Sequence, residues 1–246
     1  MESRRGIVKQ RLDQYLAQQK LVQSRSQAEN FIRLGKVTIN DKVVTKPGFM
    51  VAAHHTVKLI ADEKYVSRAG LKLASVTHAL GLNFEGKTML DVGSSTGGFT
   101  DYALQHGVAK VIAVDVGTDQ LHPSLRSDNR IELHEKTDIR DFVPSITPDI
   151  VVMDVSFISL RQILPHIWAI TDDKTQIVAM VKPQFEADRS QITSSGIIKN
   201  DRIRRDILKD FEMWAKQKFV IQDKADSEVA GSKGNRERFY LLKKIV

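Results

Sequence analysis

The 246-residue chain contains no cysteine. Disulfides and thiolate metal sites are therefore excluded. It is short of long apolar runs as well: none exceeds five residues, Ile177–Val181 being one. A membrane-spanning helix needs roughly 20 apolar residues, so no bilayer span is expected. Arg4 and Arg5 are not followed by an apolar stretch, so a secretory signal is not expected and the cytoplasm is the default location. Aromatic residues make up 7% of the chain, and only Tyr15, Phe31 and Phe49 fall in the first 60 residues. Stacking on single-stranded bases is therefore not the obvious mode of that segment.

Hydrophobic residues at 41% and charged residues at 27% fit a folded chain with a substantial core. The net charge of +7 is unevenly placed. Residues 1–60 hold 11 Lys+Arg against 4 Asp+Glu, whereas residues 61–246 hold 26 of each. A basic head on an electrically balanced body suggests that the head meets a polyanion.

The head reads as a compact α/β module. Leu12, Tyr15 and Leu16 sit at helical spacing. Ser26 with Glu29 fits a capping box, which starts a second helix whose apolar face is Ala28, Phe31 and Ile32 and whose stop is Gly35. Val37–Ile39 alternates like a strand, Asn40-Asp41 turns, Val43-Val44 returns, and residues 57–60 form a last short strand. Residues 61–66 read as a linker, giving domains at 1–60 and 67–246.

Beyond residue 66, strands and helices alternate. Strands are expected at 88–92, 110–115, 131–134, 149–154, 176–182, 218–227 and 236–243, with helices at about 98–105 and 201–216 among the connections. This pattern implies a Rossmann-like α/β fold with a mostly parallel seven-stranded sheet, helices on both faces and a ligand crevice at the carboxyl ends of the strands.

Asp91-Val92-Gly93-Ser94-Ser95-Thr96-Gly97-Gly98-Phe99-Thr100 follows an apolar strand and opens a helix. Glycines there admit a ligand close to the backbone, and the helix start offers free N–H groups. The spacing is not that of a dinucleotide fingerprint. Asp115 ends the next strand, followed by Val116; a carboxylate there suits the ribose hydroxyls of an adenosine. Asp138, with Ile139, follows the third strand, where the carboxylate either meets an adenine amino group or caps a helix. The cofactor residues read this way are Asp91, Gly93, Ser94, Ser95, Thr96, Gly97, Gly98, Phe99, Asp115, Val116, Asp138 and Ile139. Asp154 and Lys182 end neighbouring apolar strands, and charged strand ends in such folds line the ligand crevice.

Two resemblances sharpen this reading. Arg11-Leu12-Asp13, Ser24-Arg25-Ser26, Ala28, Ile32, Gly35-Lys36-Val37, Ile39-Asn40 and Val43 resemble the RNA-binding module of ribosomal protein S-four. That resemblance implies a surface for structured RNA, with Lys9, Arg11, Arg25, Arg33, Lys36, Lys42 and Lys46 meeting phosphates. The rest resembles the FtsJ-type ribose methyltransferases, and the whole chain resembles the TlyA family of ribosomal RNA 2′-O-methyltransferases. The matching stretches are Tyr65-Val-Ser-Arg-Ala-Gly-Leu-Lys72-Leu, 91–101, Val114-Asp-Val-Gly117, Asp154-Val-Ser-Phe157, Val181-Lys-Pro-Gln-Phe-Glu186 and Gly234-Asn-Arg-Glu237. Two positions depart from the family pattern: Ser94 stands where alanine is common, and Asp138 where many relatives carry asparagine. The resemblance implies S-adenosyl-L-methionine as methyl donor, ribosomal RNA or ribosomal subunits as partner, a cytidine as target, and a catalytic set of Lys72, Asp154, Lys182 and Glu237. A lysine would act on the ribose hydroxyl and the carboxylates would hold the lysines. This chemistry needs no metal, and no cluster of metal ligands is apparent in the sequence. Residues 231–236 read as a loop near the substrate and 190–199 as a lid. Some family members bear the name hemolysin, so a membrane-active protein is one alternative, and a non-catalytic RNA-binding assembly factor is the other.

Overall fold

The computed structural model describes residues 9–22, 24–59, 64–231 and 234–245. The chain divides into two compact units, Met1–Glu63 and Lys64–Val246.

In the first unit, β1 (Gln10–Arg11) leads into α1 (Leu12–Gln18), followed by α2 (Arg25–Arg33), β2 (Val37–Ile39), β3 (Lys42–Val43), β4 (Met50–Val51) and β5 (Val57–Leu59). β1 pairs with β4, and β3-β2-β5 form an antiparallel sheet. Leu12, Leu16, Ala28, Phe31, Ile32, Val37, Ile39 and Val51 make its core. Asn40 and Asp41 take φ of 50° and 62°, the left-handed pair that a two-residue hairpin turn requires. One expectation is corrected: Ser24, not Ser26, caps α2, its hydroxyl accepting the Gln27 N–H at 3.1 Å, so the helix starts one residue ahead of Ser26. Ser26 and Glu29 therefore lie inside the helix, where they cannot form the expected box.

The second unit runs α3 (Arg68–Thr77), β6 (Thr88–Val92), α4 (Gly98–Gln105), β7 (Lys110–Val114), β8 (Ile131–His134), β9 (Ile150–Met153), α5 (Leu164–Ile170), β10 (Gln176–Val181), α6 (Pro183–Glu186), α7 (Asp201–Ala215), β11 (Phe219–Asp226) and β12 (Arg238–Lys244). Residues 61–63 of the expected linker and Ile60 lie outside the described residues. Tyr65 is 2% exposed and packs in the core, and the Val66 N–H donates to Asp101, so these two residues belong to this unit.

The sheet order is β11-β12-β10-β9-β6-β7-β8. All neighbours from β10 to β8 are parallel, and β12 runs antiparallel to both of its neighbours. The mostly parallel seven-stranded sheet inferred from the alternating pattern is thus the observed fold. Central strands are buried on both faces and so read as unbroken apolar runs, such as Ile150–Met153. Successive residues still divide between two cores: Met89 and Val152 pack on one side of the sheet, Leu90 and Val151 on the other. Strand order reverses between β6 and β9. That switch point is where α/β sheets open a crevice at their carboxyl ends.

Candidate active site

Three neighbouring strands deliver their charged ends to this edge. Met153 is the last residue of β9, so Asp154 emerges at its carboxyl end. Val181 pairs with Arg238 across β10 and β12, so the next residues outward, Lys182 and Glu237, leave the sheet side by side. Lys182 Nζ lies 2.6 Å from Asp154 Oδ1 and donates to Ser156 Oγ at 2.7 Å. Lys72, on α3, reaches Glu237 Oε2 at 2.5 Å. Lys72 and Lys182 are each 8% exposed and Glu237 is 2% exposed. Two lysine–carboxylate pairs are thus withdrawn from solvent at one end of the sheet. Burying such charges is costly unless each has a partner, so the pairing is obligatory.

The glycine-rich loop lies against this cluster. A Cβ at Gly93 would come within 3.0 Å of the Asp154 carbonyl oxygen. Gly93 and Gly97 have φ of 77° and 88°, a region that disfavours other residues. Gly98 serves packing: a Cβ there would collide with Ser67 Oγ and the Gly70 N–H, closing off the approach of α3 to α4. Asp91 lies beneath the loop, 1% exposed, and accepts the Thr100 hydroxyl at 2.7 Å. Its carboxyl is pushed up to about 7, first by burial and further by the charges of Asp154 and Asp115. Asp91 thus supports the first turn of α4 from beneath the loop. The Phe99 side chain likewise packs in the core, its ring 6.0 Å from Phe239, so only its backbone faces the loop.

Asp115 accepts the Ser95 N–H at 2.8 Å and the Gly117 N–H at 2.7 Å. These bonds fix its carboxylate beside the loop. Val116 is 71% exposed, an open apolar surface next to it. Asp138 caps the short turn Ile139–Asp141 and is forked by Arg140, whose Nη2 lies 2.6 Å away. That guanidinium lowers the Asp138 carboxyl to about 2. The helix-cap role weighed for Asp138 is the one seen, and Ile139 is buried beneath it. Thr96 gives its carbonyl oxygen to the His122 N–H. The hydroxyls of Ser94 and Ser67 are buried without a protein partner.

Several residues at this edge have no counterpart in the reading from sequence. Ser156 receives the Lys182 proton donor. Phe157 is 91% exposed, takes φ of 66°, and has its ring 5.2 Å from Phe185. Asn235, 6% exposed, accepts the Ile198 N–H and donates to the Gly196 carbonyl, so the expected lid at 190–199 is fastened to the strand edge. Of the loop expected at 231–236, Ser232 and Lys233 lie outside the described residues. The family motifs contained Ser156, Phe157 and Asn235, but motif matching alone gave them no partner.

In the N-terminal unit, Lys9, Arg25, Arg33, Lys42 and Lys46 are exposed, whereas Arg11 and Lys36 are half-buried. Arg11 and Arg25 are engaged by a buried residue that carried no expectation, Asp13. Their hydrogen bonds, chiefly those from Arg11, hold the Asp13 carboxyl down to about 2. The Lys36 ammonium lies 5.5 Å from the Phe31 ring centre.

A doubly wound sheet with an antiparallel β12, a glycine loop at its switch point and an acid on the next strand defines a Rossmann-type methyltransferase. Residues 65–244 match the FtsJ-like methyltransferase family and residues 10–57 match the S4 domain, so the chain belongs to the FtsJ-like methyltransferases and carries an S4 domain ahead of the catalytic unit. Hemolysin A of Brachyspira hyodysenteriae is 38% identical over 232 residues, 92% of this chain and 97% of that protein. The 16S/23S rRNA (cytidine-2′-O)-methyltransferase TlyA of Mycobacterium tuberculosis is 37% identical over 199 residues, 79% of this chain and 74% of that one. A solved structure from Streptococcus thermophilus, named a hemolysin, superposes with a TM-score of 0.76 at 38% identity, covering 96% of this chain and 88% of that one. Among the described residues no helix is long and apolar enough to cross a membrane.

Proposed function

We propose that this methyltransferase moves the methyl group of S-adenosyl-L-methionine to a ribose 2′-hydroxyl of ribosomal RNA, a cytidine being the target. The observation that carries the reading is the pair of buried lysine–carboxylate contacts, Lys182–Asp154 and Lys72–Glu237, at the carboxyl edge of adjacent strands beside the glycine loop.

The residues present fit the donor. Buried hydroxyls without partners at Ser94 and Ser67 suit polar atoms of a ligand held by the loop 93–98. Asp115 would take the ribose hydroxyls, and the exposed side chain of Val116 would lie against the base. Asp138 and Ile139 would border the adenine edge, with Arg140 holding the Asp138 carboxylate in place. When bound, the donor supplies an electrophilic methyl group on a sulfonium, so orientation is most of what the protein must add.

A ribose hydroxyl is a poor nucleophile and must lose its proton as it attacks. Lys182, held between Asp154 and Ser156, would polarise or take that proton. Lys72, held by Glu237, would set a second positive charge near the developing alkoxide. Phe157, on the loop that carries Asp154 and Ser156 and with its ring next to Phe185, offers an open aromatic face suited to stacking on a base of a distorted RNA strand. The exposed lysines and arginines of the S4 domain would bind RNA phosphates, free or within a ribosomal subunit. Such an enzyme works in the cytoplasm.

Mass mapping of ribose methylation on ribosomal RNA incubated with enzyme and donor tests this. The expected result is one or a few new 2′-O-methyl groups, absent with Lys182→Ala. No new methylation, or full activity in Lys182→Ala, would overturn it. The names of two relatives favour a lytic protein as the second reading. Lysis of red cells by RNA-free protein, undiminished in Lys182→Ala, would support that one.

A further inference from the structure

The last residue of α6, Glu186, is a buried carboxylate outside the catalytic set. Its side chain is 2% exposed. Glu186 Oε2 accepts the Ser159 hydroxyl at 2.6 Å, and Oε1 accepts the Leu160 N–H at 2.7 Å. Arg161 Nε stands 3.5 Å from Oε2. All three partners lie on the loop that leaves β9, the same loop that carries Asp154, Ser156 and Phe157. Glu186 itself stands four residues after Lys182, on the single turn whose Phe185 N–H closes onto the Lys182 carbonyl at 2.9 Å. Its bonds therefore join the two loops that present the Lys182–Asp154 pair.

Between these two ties the loop 154–159 is held at both ends: by β9 and the Asp154–Lys182 pair at one, by Glu186 at the other. Inside it, Phe157 keeps a left-handed backbone at φ 66°, with its ring almost wholly in solvent. A phenylalanine holds such a conformation only where its surroundings impose it. Few contacts of the exposed ring can impose it, apart from Phe185 on the same turn as Glu186. Burial raises the Glu186 carboxyl, yet Ser159 and Leu160 both donate to it, the arrangement expected of an ionised acceptor.

We propose that Glu186 is a positioning residue: by tying Ser159 and Leu160 to the turn after Lys182, it fixes Ser156 and Asp154 around the Lys182 amine and keeps the Phe157 backbone in its left-handed state. The activity part of this rests on the function proposed above; the loop-ordering part does not. A misplacement of catalytic groups by about 1 Å commonly costs some 100-fold in rate, so losing the tie acts on turnover more than on binding.

The test uses the full chain with Glu186→Ala, Glu186→Gln and Ser159→Ala. Three quantities are read: steady-state methylation of ribosomal RNA, affinity for S-adenosyl-L-methionine by calorimetry, and amide hydrogen exchange resolved to segments. Glu186→Ala is expected to lower kcat by about 10- to 100-fold, with cofactor affinity within about twofold of wild type. It should lose exchange protection at 155–161 while β9 and β10 keep theirs. Glu186→Gln should recover most of kcat, since its amide oxygen still accepts from Leu160. Ser159→Ala removes one of the two bonds and should show the same local exchange change at smaller size, about threefold in kcat; it serves where Glu186→Ala does not fold. A kcat within twofold of wild type in Glu186→Ala, or a loss of protection spread evenly through the sheet, would overturn the proposal. If wild type itself methylates no RNA, the proposed function falls, and exchange alone decides the tie: loss confined to 155–161 supports it and unchanged protection refutes it.

Discussion

The two units of this chain use charge in opposite ways. In the S4 domain the basic groups Arg33, Lys42 and Lys46 stand in solvent, while in the catalytic unit Lys72 and Lys182 are each 8% exposed and held by carboxylates. Exposed charges are screened, act at a distance and add up roughly one by one. Buried charges are fixed in place by their partners, and removing one strands the other. The first arrangement suits attraction of a polyanion; the second suits chemistry at one atom.

The comparison is sharpest at Lys182. Lys182→Ala should reduce methyl transfer by roughly 10³-fold while cofactor affinity measured by calorimetry changes little. Glu237→Ala should strand the Lys72 ammonium and cost about 3–5 kcal/mol of stability, read as a lowered denaturation midpoint in urea; a change under about 1 kcal/mol would make this pair no different from a surface one. Asp115→Ala, which removes a half-buried acceptor rather than a buried ion pair, should weaken cofactor binding about 10- to 100-fold. In the S4 domain the effects should be small and graded. Each of Arg33→Ala, Lys42→Ala and Lys46→Ala should weaken RNA binding a few-fold and flatten the plot of log affinity against log salt by about 0.9 per lost phosphate contact. A single substitution there that abolished binding would break the contrast.

Acid titration separates Asp13 of the first unit from Asp91 of the second in sign. Asp13 is held near 2 against an ordinary 3.8, so its contribution to stability is present above pH 3.8 and is lost as pH falls toward 2. Asp91 is raised to about 7, so its contribution is complete below pH 3.8 and is lost as pH rises through 7. Asp13→Asn should therefore flatten the acid limb of the stability curve, and Asp91→Asn the limb between pH 4 and 8. Denaturation midpoints from about pH 2 to about pH 8 check both; a wild-type slope in either variant contradicts the assignment.

Much of this was legible in the residue pattern, and the reasons are local. The central strands are apolar because both faces are covered. The turns at Asn40-Asp41 and Gly93 need left-handed backbone. These properties depend on a few neighbouring residues. The Ser26 box failed because Ser24, also a good cap, lay within reach of the same helix start and only packing chose between them. At the site, Asp154 and Lys182 were visible as charged ends of apolar strands, whereas Lys72 and Glu237 looked like ordinary polar residues and entered only by resemblance. Asp138 was open between an adenine contact and a helix cap; the structure shows the cap, with an arginine two residues on forking the same carboxylate.

The sequence by itself determined the two-unit plan, the β/α alternation, the glycine loop and the basic head, because periodicity, turn chemistry and charge are written in short stretches of chain. Tertiary structure alone decided which carboxylate meets which lysine, that Gly98 serves the packing of α3 on α4, and that Asp13 gathers Arg11 and Arg25. Apart from the local Arg11–Asp13 bond, those outcomes turn on strand order and on close approaches between segments a dozen to well over a hundred residues apart, which no local pattern encodes.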